Sequence, residues 1–323
     1  MGASPAAGHA GRMISPQRDS RGDAGLAATV LTWAAAFPAI RVGLDGYTPW
    51  ALGLLRLAAA SATLGLVAAV FRPGLPHRRH WPRLVVCGLV GQTLYQLFLM
   101  IGEVSVPPGT ASVLIATAPI FSVVAAAVLL RERLGPHWRG FLLAFAGAVV
   151  AGASLGLGGG AAALIVVAAA ACQGLYHVAV KPVAEQLGAL AATTWSVWAG
   201  CLLGLPALPA LLSDAATASR SSTLAAVFLG VVPSGLGYLA WSDALARTTI
   251  TRSTVALYLV PGVAMLLSWA WLRDPPTVLA VIGGLLAIGG VTLVRRQPSP
   301  PAPRSVPSQG ARPAPIRDPE RRP

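Results

Sequence analysis

Long apolar stretches make up nearly all of the chain between residues 25 and 295, and short segments with charges, prolines or glycines separate them. Each stretch has the roughly 20 apolar residues that a helix needs to cross a bilayer. The pattern therefore predicts an all-α integral membrane protein with about ten transmembrane helices, called spans 1 to 10 below. The predicted limits are 25–43, 49–71, 83–103, 109–130, 136–155, 161–181, 190–212, 222–245, 251–272 and 276–295.

The two ends of the chain lack this pattern. Residues 1–24 contain charges such as Arg12 and Asp19 and no apolar core, which is unlike a cleavable signal peptide. Residues 297–323 are rich in proline and arginine and have little to bury. We predict that both segments are disordered cytoplasmic tails.

One stretch of the sequence occurs twice, at a constant offset of 142 residues. In each copy a proline is followed twelve residues later by an arginine and an acidic residue, and a glycine-rich apolar stretch comes next. The matched pairs are Pro119 and Pro261, Arg131 and Arg273, Glu132 and Asp274, and Gly147 and Gly289. Twelve helical residues span roughly 18 Å, so an arginine at the membrane surface would place both prolines near the middle of a ~30 Å hydrocarbon core.

Basic residues indicate how the spans are oriented. If the N-terminus is cytoplasmic, most arginines of the loops and tails fall on the cytoplasmic side, in agreement with the positive-inside rule. Five spans separate equivalent points of the two copies, and an odd number turns the second copy upside down. The sequence thus predicts two inverted five-helix repeats, 25–155 and 161–295, with both termini in the cytoplasm.

The composition agrees with a membrane protein and excludes other classes. Hydrophobic residues make up 55% of the chain and charged residues only 11%, whereas soluble domains carry about 25% charge. The formal net charge of +13 does not indicate nucleic-acid binding, because the basic residues are spread over loops and tails. Cys87, Cys172 and Cys201 lie inside apolar stretches without the spacing of a metal site or a disulfide framework. We expect no metal and no cofactor.

Three segments resemble a known family. They are LLRLAAA around Arg56, TASVLIATAPIFSVVAAAVLLRERL with the following Gly147, and WLRDPPTVLAVIGGLLAIGG near the end of the apolar region. Together they resemble the EamA-type branch of the drug/metabolite transporter superfamily, and the similarity covers nearly all of residues 25–295. One departure is the pair Arg131 and Glu132, because family members usually place an aliphatic residue or glycine before the glutamate. This difference concerns a loop.

The resemblance implies a ten-helix transporter of small metabolites, and bacterial members mostly export amino acids or related compounds. Secondary transporters commonly bind substrate at the midplane, where proline or glycine interrupts the helices. We therefore interpret Pro119 and Pro261 as hinges. The alternative is that they are ordinary prolines, which are frequent in transmembrane helices.

Polar and aromatic side chains recur at helical spacing inside the spans. Because a polar group facing lipid is costly, we expect these residues to line a pocket for an amphipathic small molecule. The predicted substrate-binding residues are Trp33 in span 1, Arg56 in span 2, Gln92, Tyr95 and Gln96 in span 3, Gln173, Tyr176 and His177 in span 6, Tyr238 and Trp241 in span 8, and Tyr258 in span 9. Helix packing or an interfacial belt is the alternative for the aromatic residues.

Charged residues in the spans are few. Arg56 lies seven residues into span 2, roughly 10 Å from the membrane surface, which is deep for an interfacial cation. It would bind a substrate carboxylate or pair with Glu103, and the alternative is snorkelling to the surface. We predict that Arg41, Glu103 and Asp243 are gate residues.

Spans 5 and 10 carry small residues in place of polar ones. These are Gly140, Ala144 and Gly147 in span 5 and Gly283, Ala287 and Gly290 in span 10. Small residues permit close helix contact, so each span is either scaffold or the face of a homodimer.

These features favour a multi-pass protein of the cell membrane that exports an amino acid or related compound by alternating access. One alternative is an exporter of drugs or quaternary ammonium compounds, which would require an acidic residue at the cavity centre. A less favoured alternative is an integral-membrane enzyme. The motif HExxH and close-spaced aspartate pairs are absent, so we predict that the protein is not an enzyme.

Overall fold

The structure, a computed structural model, describes residues 20–129, 138–156, 159–247, 256–257 and 259–296. Two predicted site residues are affected by these limits. Tyr258 lies outside the described residues, and the side chain of Asp243 lies outside them as well. The same holds for both predicted tails up to residue 19 and from residue 297, and for the loop with Arg131 and Glu132.

Helices follow the apolar stretches of the sequence. We number the α-helices of the described residues α1 to α14 in chain order. They are α1 Ser20–Leu44, α2 Pro49–Phe71, α3 Trp81–Cys87, α4 Tyr95–Glu103, α5 Pro108–Ile115, α6 Ala118–Leu129, α7 Trp138–Ala153, α8 Gly160–Leu187, α9 Ala189–Gly204, α10 Leu208–Thr217, α11 Arg220–Leu229, α12 Gly237–Arg247, α13 Leu259–Leu272 and α14 Val278–Arg296.

Seven continuous helical segments in the described part of the chain are long and apolar enough to cross a membrane. Three shorter apolar helices, Leu142–Ala153, Leu259–Leu272 and Val278–Gly290, fall at predicted spans 5, 9 and 10. The all-helical class is therefore confirmed at the level of a multi-pass membrane protein, and the count of ten spans stays a prediction. The first helix begins at Ser20, five residues earlier than predicted.

Spans 3 and 8 each contain a π-helix. The first π segment, Gly88–Leu94, joins α3 to α4, and the second π segment, Gly230–Leu236, joins α11 to α12. Both are seven residues long, and the offset between them is again 142 residues. A π turn widens the helix locally and is frequent at functional sites. The internal repeat therefore extends to a backbone irregularity that the hydropathy pattern did not predict.

The proline of the first copy lies where its span is interrupted. Helix α5 ends at Ile115 and α6 begins at Ala118, so Pro119 occupies the first turn of the second helix. This position suits proline, because the first turn has no intrahelical partner for the missing N–H. Pro261 is likewise in the first turn of α13 and is buried.

Helices α7 and α14 pack along each other. A Cβ atom added to Gly147 would lie 2.5 Å from the carbonyl oxygen of Gly283, and one added to Gly290 would collide with the backbone of Ala144. The small residues of spans 5 and 10 thus permit close contact within one chain. This contact agrees with the scaffold alternative for spans 5 and 10. A homodimer formed through these spans stays a prediction.

The halves of the chain, residues 20–156 and 159–296, share one core. Helix α1 packs against α11, α12 and α13, α2 packs against the second π segment, and α4 packs against α8. The main cluster of buried apolar side chains accordingly combines Ile40, Leu52 and Met100 with Val166 and Leu229. Residues on α1, α2 and α4 therefore meet the second half near the middle of the protein.

Candidate functional site

Arg56 connects the two halves. Its side chain is 7% exposed, and its Nε donates a hydrogen bond to Oγ of Ser234 in the second π segment, at 3.0 Å. Close approach of α2 requires Gly230, where an added Cβ would lie 2.5 Å from the carbonyl oxygen of Arg56. Within the described part of the chain, Nη1 of Arg56 is buried without a hydrogen-bond partner. The guanidinium is therefore hydrogen-bonded at Nε, while its buried Nη1 has no hydrogen-bond partner among the described residues.

Glu103 is the buried acid of the site. It is the last residue of α4 and is 0% exposed, and neither carboxylate oxygen has a hydrogen-bond partner among the described residues. Glu103 lies within the range of direct electrostatic interaction with Arg56 and Arg41. The described side chains thus hold the carboxylate near Arg56, and no hydrogen bond joins the two groups.

Arg41 interacts with the end of α4. Its Nη1 donates to the carbonyl oxygens of Glu103 and Val104, at 2.9 Å and 2.7 Å. A cation at this position satisfies terminal carbonyls and interacts favourably with the helix dipole. Arg41 therefore fixes the end of the helix that carries Glu103. Both residues belong to the first half, so this contact does not by itself join the two halves.

Aromatic side chains surround Arg56. The hydroxyls of Tyr95 and Tyr238 lie within electrostatic range of its guanidinium. Trp33 packs edge-on against Tyr238, with ring centroids 5.5 Å apart, and contacts Trp241 at 5.7 Å. The indole N–H of Trp33 also donates to the carbonyl oxygen of Pro233 at 3.2 Å. Trp33 therefore packs against aromatic rings of α12 and donates a hydrogen bond to the second π segment.

Two glutamines of span 3 are buried near these rings. Gln92 is 2% exposed, lies close to the hydroxyls of Tyr176 and Tyr238, and has no partner for Nε2 among the described residues. Gln96 is 3% exposed, and its Oε1 has no partner within the described ranges. Gly91 faces the ring of Tyr176 so closely that an added Cβ would collide with it. Buried amides of this kind are normally hydrogen-bonded, so these are candidate ligand contacts.

The remaining predicted residues of span 6 lie at a more accessible position. Tyr95 and Tyr238 are half-buried, whereas His177 is exposed. His177 approaches Oγ of Ser122 through Nδ1 at 3.3 Å and Nε2 of Gln173 through Nε2 at 3.2 Å.

Two cavities lie beside the site. One, of about 510 Å³, is lined by the loop 45–48 together with Val104, Asp214 and Ser219, and this end of the protein is called the Asp45 face. The other, of about 350 Å³, opens between α2, span 3 and the α9–α10 region. Its walls are mostly apolar, with Trp50, Leu57 and Leu97 among them, and Gln96 also lines it.

The halves are hydrogen-bonded to each other at the Asp45 face. The hydroxyl of Tyr47 lies 2.9 Å from Oγ1 of Thr223. Oδ2 of Asp214 accepts from both the backbone N–H and the hydroxyl of Thr48, each at 2.8 Å. These contacts join the loop between α1 and α2 to α10 and α11. They were not among the predicted gate residues, since no repeat or stripe in the sequence marks them.

The structure brings most of the predicted site residues together. Trp33, Arg56, Gln92, Tyr95, Tyr176, Tyr238 and Trp241 form one cluster around the second π segment. His177 instead contacts Ser122 of α6, and Gln173 contacts His177. Ser234, which shares the polar stripe of span 8 with Tyr238 and Trp241, is paired with Gln92 by the repeat offset. Among the described residues, no three His, Cys, Asp or Glu side chains gather closely enough to hold a metal ion.

Comparison with known proteins gives a consistent result. The chain is 44% identical to the "Probable terminal-alkyne amino-acid exporter" of Streptantibioticus cattleyicolor over 84% of this chain and 92% of that protein. It is 30% identical to the aromatic amino acid exporter YddG of Ancylobacter novellus over 67% of this chain and 76% of that protein. A solved crystal structure with 24% identity has a TM-score of 0.58 and matches over 83% of this chain and 98% of that chain.

The family comparison agrees with the internal repeat. The sequence model of the EamA-like transporter family matches twice, over residues 20–153 and 160–296. One match thus covers each half. The chain therefore belongs to the EamA-like transporter family, as the segments around Arg56 and Pro119 led us to expect.

Proposed function

We propose that this protein is a secondary transporter that exports an amino acid or a closely related metabolite from the cell. The relatives whose names specify a substrate support this choice, since the Streptantibioticus and Ancylobacter proteins are both named as amino-acid exporters. The observation that carries the proposal is Arg56. It is a buried guanidinium with one unpartnered nitrogen in the described part of the chain, between the two halves of a transporter fold.

The proposed mechanism is alternating access between two inverted repeats. Matched π segments, matched prolines at the starts of α6 and α13, and a family match to each half support this mechanism. In this mechanism Pro119 and Pro261 are hinges, and the contacts of Tyr47 and Asp214 hold the halves together at the Asp45 face. We place that face outside the cell, and both termini in the cytoplasm, on the basis of the basic residues.

One observation favours a second function. The buried carboxylate of Glu103 has no hydrogen-bond partner among the described residues, and an acid of this kind would suit a lipophilic cation. Export of drugs or quaternary ammonium compounds is therefore the alternative. It predicts binding of cations that lack a carboxylate.

Arg56→Gln tests the leading proposal. We expect the purified wild-type protein in liposomes to move L-propargylglycine, a terminal-alkyne amino acid, and the variant to lose at least about tenfold in rate because a charge-assisted contact is removed. Arg220→Gln is the matched control, since Arg220 is exposed at the start of α11. Normal transport by Arg56→Gln, with expression equal to the wild type, would contradict the role of Arg56.

A further inference from the structure

Three helical faces enclose the cavity of about 350 Å³ between α2, span 3 and the α9–α10 region. The residues that line it follow helical spacing on each segment. They are Trp50, Gly53, Leu54 and Leu57 on α2, Thr93, Gln96 and Leu97 on span 3, and Gly204, Ala207 and Ala210 in the α9–α10 region. The walls therefore come from both halves of the chain, and a molecule bound here contacts both.

The mouth of this cavity faces the bilayer. Trp50 and Leu203 lie in its lining and are 56% and 40% exposed. They belong to Pro49–Phe71 and Ala189–Thr217, two of the segments that are long and apolar enough to cross a membrane. Exposed apolar side chains of such segments contact lipid. A ligand would thus enter from the membrane.

The inner wall of the cavity combines apolar side chains with one buried amide. Leu54 and Leu57 are buried, and Gln96 is 3% exposed with no hydrogen-bond partner for Oε1 among the described residues. The hydroxyl of Thr93 already donates to the carbonyl oxygens of Gly88 and Gly200, at 3.2 Å and 3.0 Å. Gln96 is therefore the polar side chain of this wall that a ligand would satisfy, since buried amides are normally hydrogen-bonded.

The lining defines the chemistry of the ligand. None of the described residues that line the cavity is charged, so a charged group would be buried there without a partner, which is costly. Rotation about the last side-chain bond of Gln96 exchanges its oxygen and nitrogen, and a hydroxyl can pair with either because it both donates and accepts. At roughly 30 Å³ of liquid volume per heavy atom, as for water, the cavity holds about a dozen heavy atoms.

We propose that this cavity binds a neutral, mostly apolar molecule with a single hydroxyl group, of the size of a medium-chain alcohol, which enters from the bilayer and hydrogen-bonds Gln96. The acyl chain of a membrane lipid is a different occupant, because it offers nothing to the amide. The site is distinct from Arg56 and does not depend on the proposed function. Its contacts with both halves should stabilise their arrangement in this structure.

Photolabelling of the full-length protein in phosphatidylcholine nanodiscs tests the proposal. The probe is a diazirine derivative of 1-octanol, and labelled peptides are identified by mass spectrometry. We expect the label on residues 49–57, 93–97 and 203–210, and unlabelled 1-octanol should remove most of it. Nonane, which has as many heavy atoms, should compete about two- to tenfold less well, as for a lost neutral hydrogen bond. Octylammonium should not compete, because its charge would have to be buried.

Two substitutions assign the site. Gln96→Leu nearly keeps the side-chain volume and should weaken competition by 1-octanol about two- to tenfold without affecting nonane. Gln92→Leu is its control, since Gln92 is a buried glutamine of the same span that does not line this cavity. Ala207→Phe fills the cavity and should abolish specific labelling, whereas Ala216→Phe places the same ring at an exposed position of α10 and should not. Ala207→Phe also tests the site if Gln96→Leu folds poorly.

Three results would overturn the proposal in whole or in part. Label spread over exposed faces such as that of α14, without competition by 1-octanol, would mean that lipid chains fill the cavity. Specific labelling that persists in Ala207→Phe would place the site elsewhere. Equal competition by nonane and 1-octanol, unchanged in Gln96→Leu, would leave a pocket for hydrocarbon and remove the role of the amide. Each of these results leaves amino-acid export untouched.

Discussion

The two π segments occupy equivalent places in the repeat but hold different side chains. The first contains Gln92, whose Nε2 has no partner in the part of the chain that the structure describes. The second contains Pro233 and Ser234, and both accept hydrogen bonds from the first half, one from Trp33 and the other from Arg56. The first segment thus leaves one buried polar group without a partner, although its Thr93 donates to a carbonyl oxygen of α9. The second segment accepts hydrogen bonds from two residues of the other half.

This difference shows how a repeated fold acquires an asymmetric site. The widened turn is common to both halves, and it frees backbone and side-chain groups at one level of the protein. The hydrogen bonds that each segment makes to the other half depend on one or two of its residues. The second half holds Arg56 in position through Ser234. Buried polar groups without a partner among the described residues occur in both halves, for example Gln92 and Glu103 in the first and Gln173 in the second.

The largest effect is expected from Gly230→Ala. The added methyl group would collide with Ala59 and lie 2.5 Å from the carbonyl oxygen of Arg56, which is backbone and cannot turn away. Helix α2 must then move, and we expect about 1–3 kcal/mol of destabilisation and loss of transport. The melting temperature in detergent and uptake into liposomes measure the two effects.

Gly53→Ala is the control for that substitution. Gly53 lies on α2 itself, and its added Cβ would meet only Sδ of Met100 at 3.7 Å, an ordinary contact. Gly91→Ala offers the comparison within the first π segment, where the clash is with the ring of Tyr176 instead of backbone. If Gly91→Ala proves more damaging than Gly230→Ala, the second segment is not the more rigid one.

Hydropathy predicted the helices but not the π segments. An apolar stretch crosses the membrane whether its turns contain 3.6 residues or slightly more, so the residues around Gly88 and Gly230 carry no distinguishing pattern. The signal that was available is the offset of 142, which pairs Gln92 with Ser234.

Contacts between the halves depend on the three-dimensional arrangement. The sequence predicted that Arg56 is functional, because a deep charge in a span is costly. It did not predict that Ser234 is its partner, nor that Glu103 has an unpaired carboxylate. For the small residues of spans 5 and 10, packing within a chain and packing between chains look the same in sequence. The contact of Gly147 with Gly283 shows packing within one chain and does not test packing between chains.

An intermediate effect is expected from Ser234→Ala, compared with Gln92→Leu. Removing the hydroxyl of Ser234 leaves Nε of Arg56 without its acceptor, and we expect about tenfold weaker substrate binding together with a lower melting temperature. Gln92→Leu removes an amide whose Nε2 already lacks a described partner and nearly keeps the volume of the side chain, so binding should fall while stability is unchanged or rises.

Binding and melting experiments on the same purified variants make this comparison. Ser234→Thr is the control, because it keeps the hydroxyl and should retain most of the affinity. Equal losses of stability in Ser234→Ala and Gln92→Leu would contradict the distinction between the two segments. So would a stable Ser234→Ala variant with unchanged affinity.

The smallest effect is expected from Trp33→Phe, which tests whether the position of the second π segment depends on one hydrogen bond. Phenylalanine keeps an aromatic ring against Tyr238 and Trp241 but cannot donate to the carbonyl oxygen of Pro233. A neutral hydrogen bond contributes about 0.5–1.5 kcal/mol, so we expect a modest fall in melting temperature and a small loss of affinity. Trp33→Leu removes the aromatic contacts as well and should cost more. If Trp33→Phe abolishes transport while the protein stays folded, the indole N–H contacts the substrate directly, and Trp33 belongs with the substrate-binding residues.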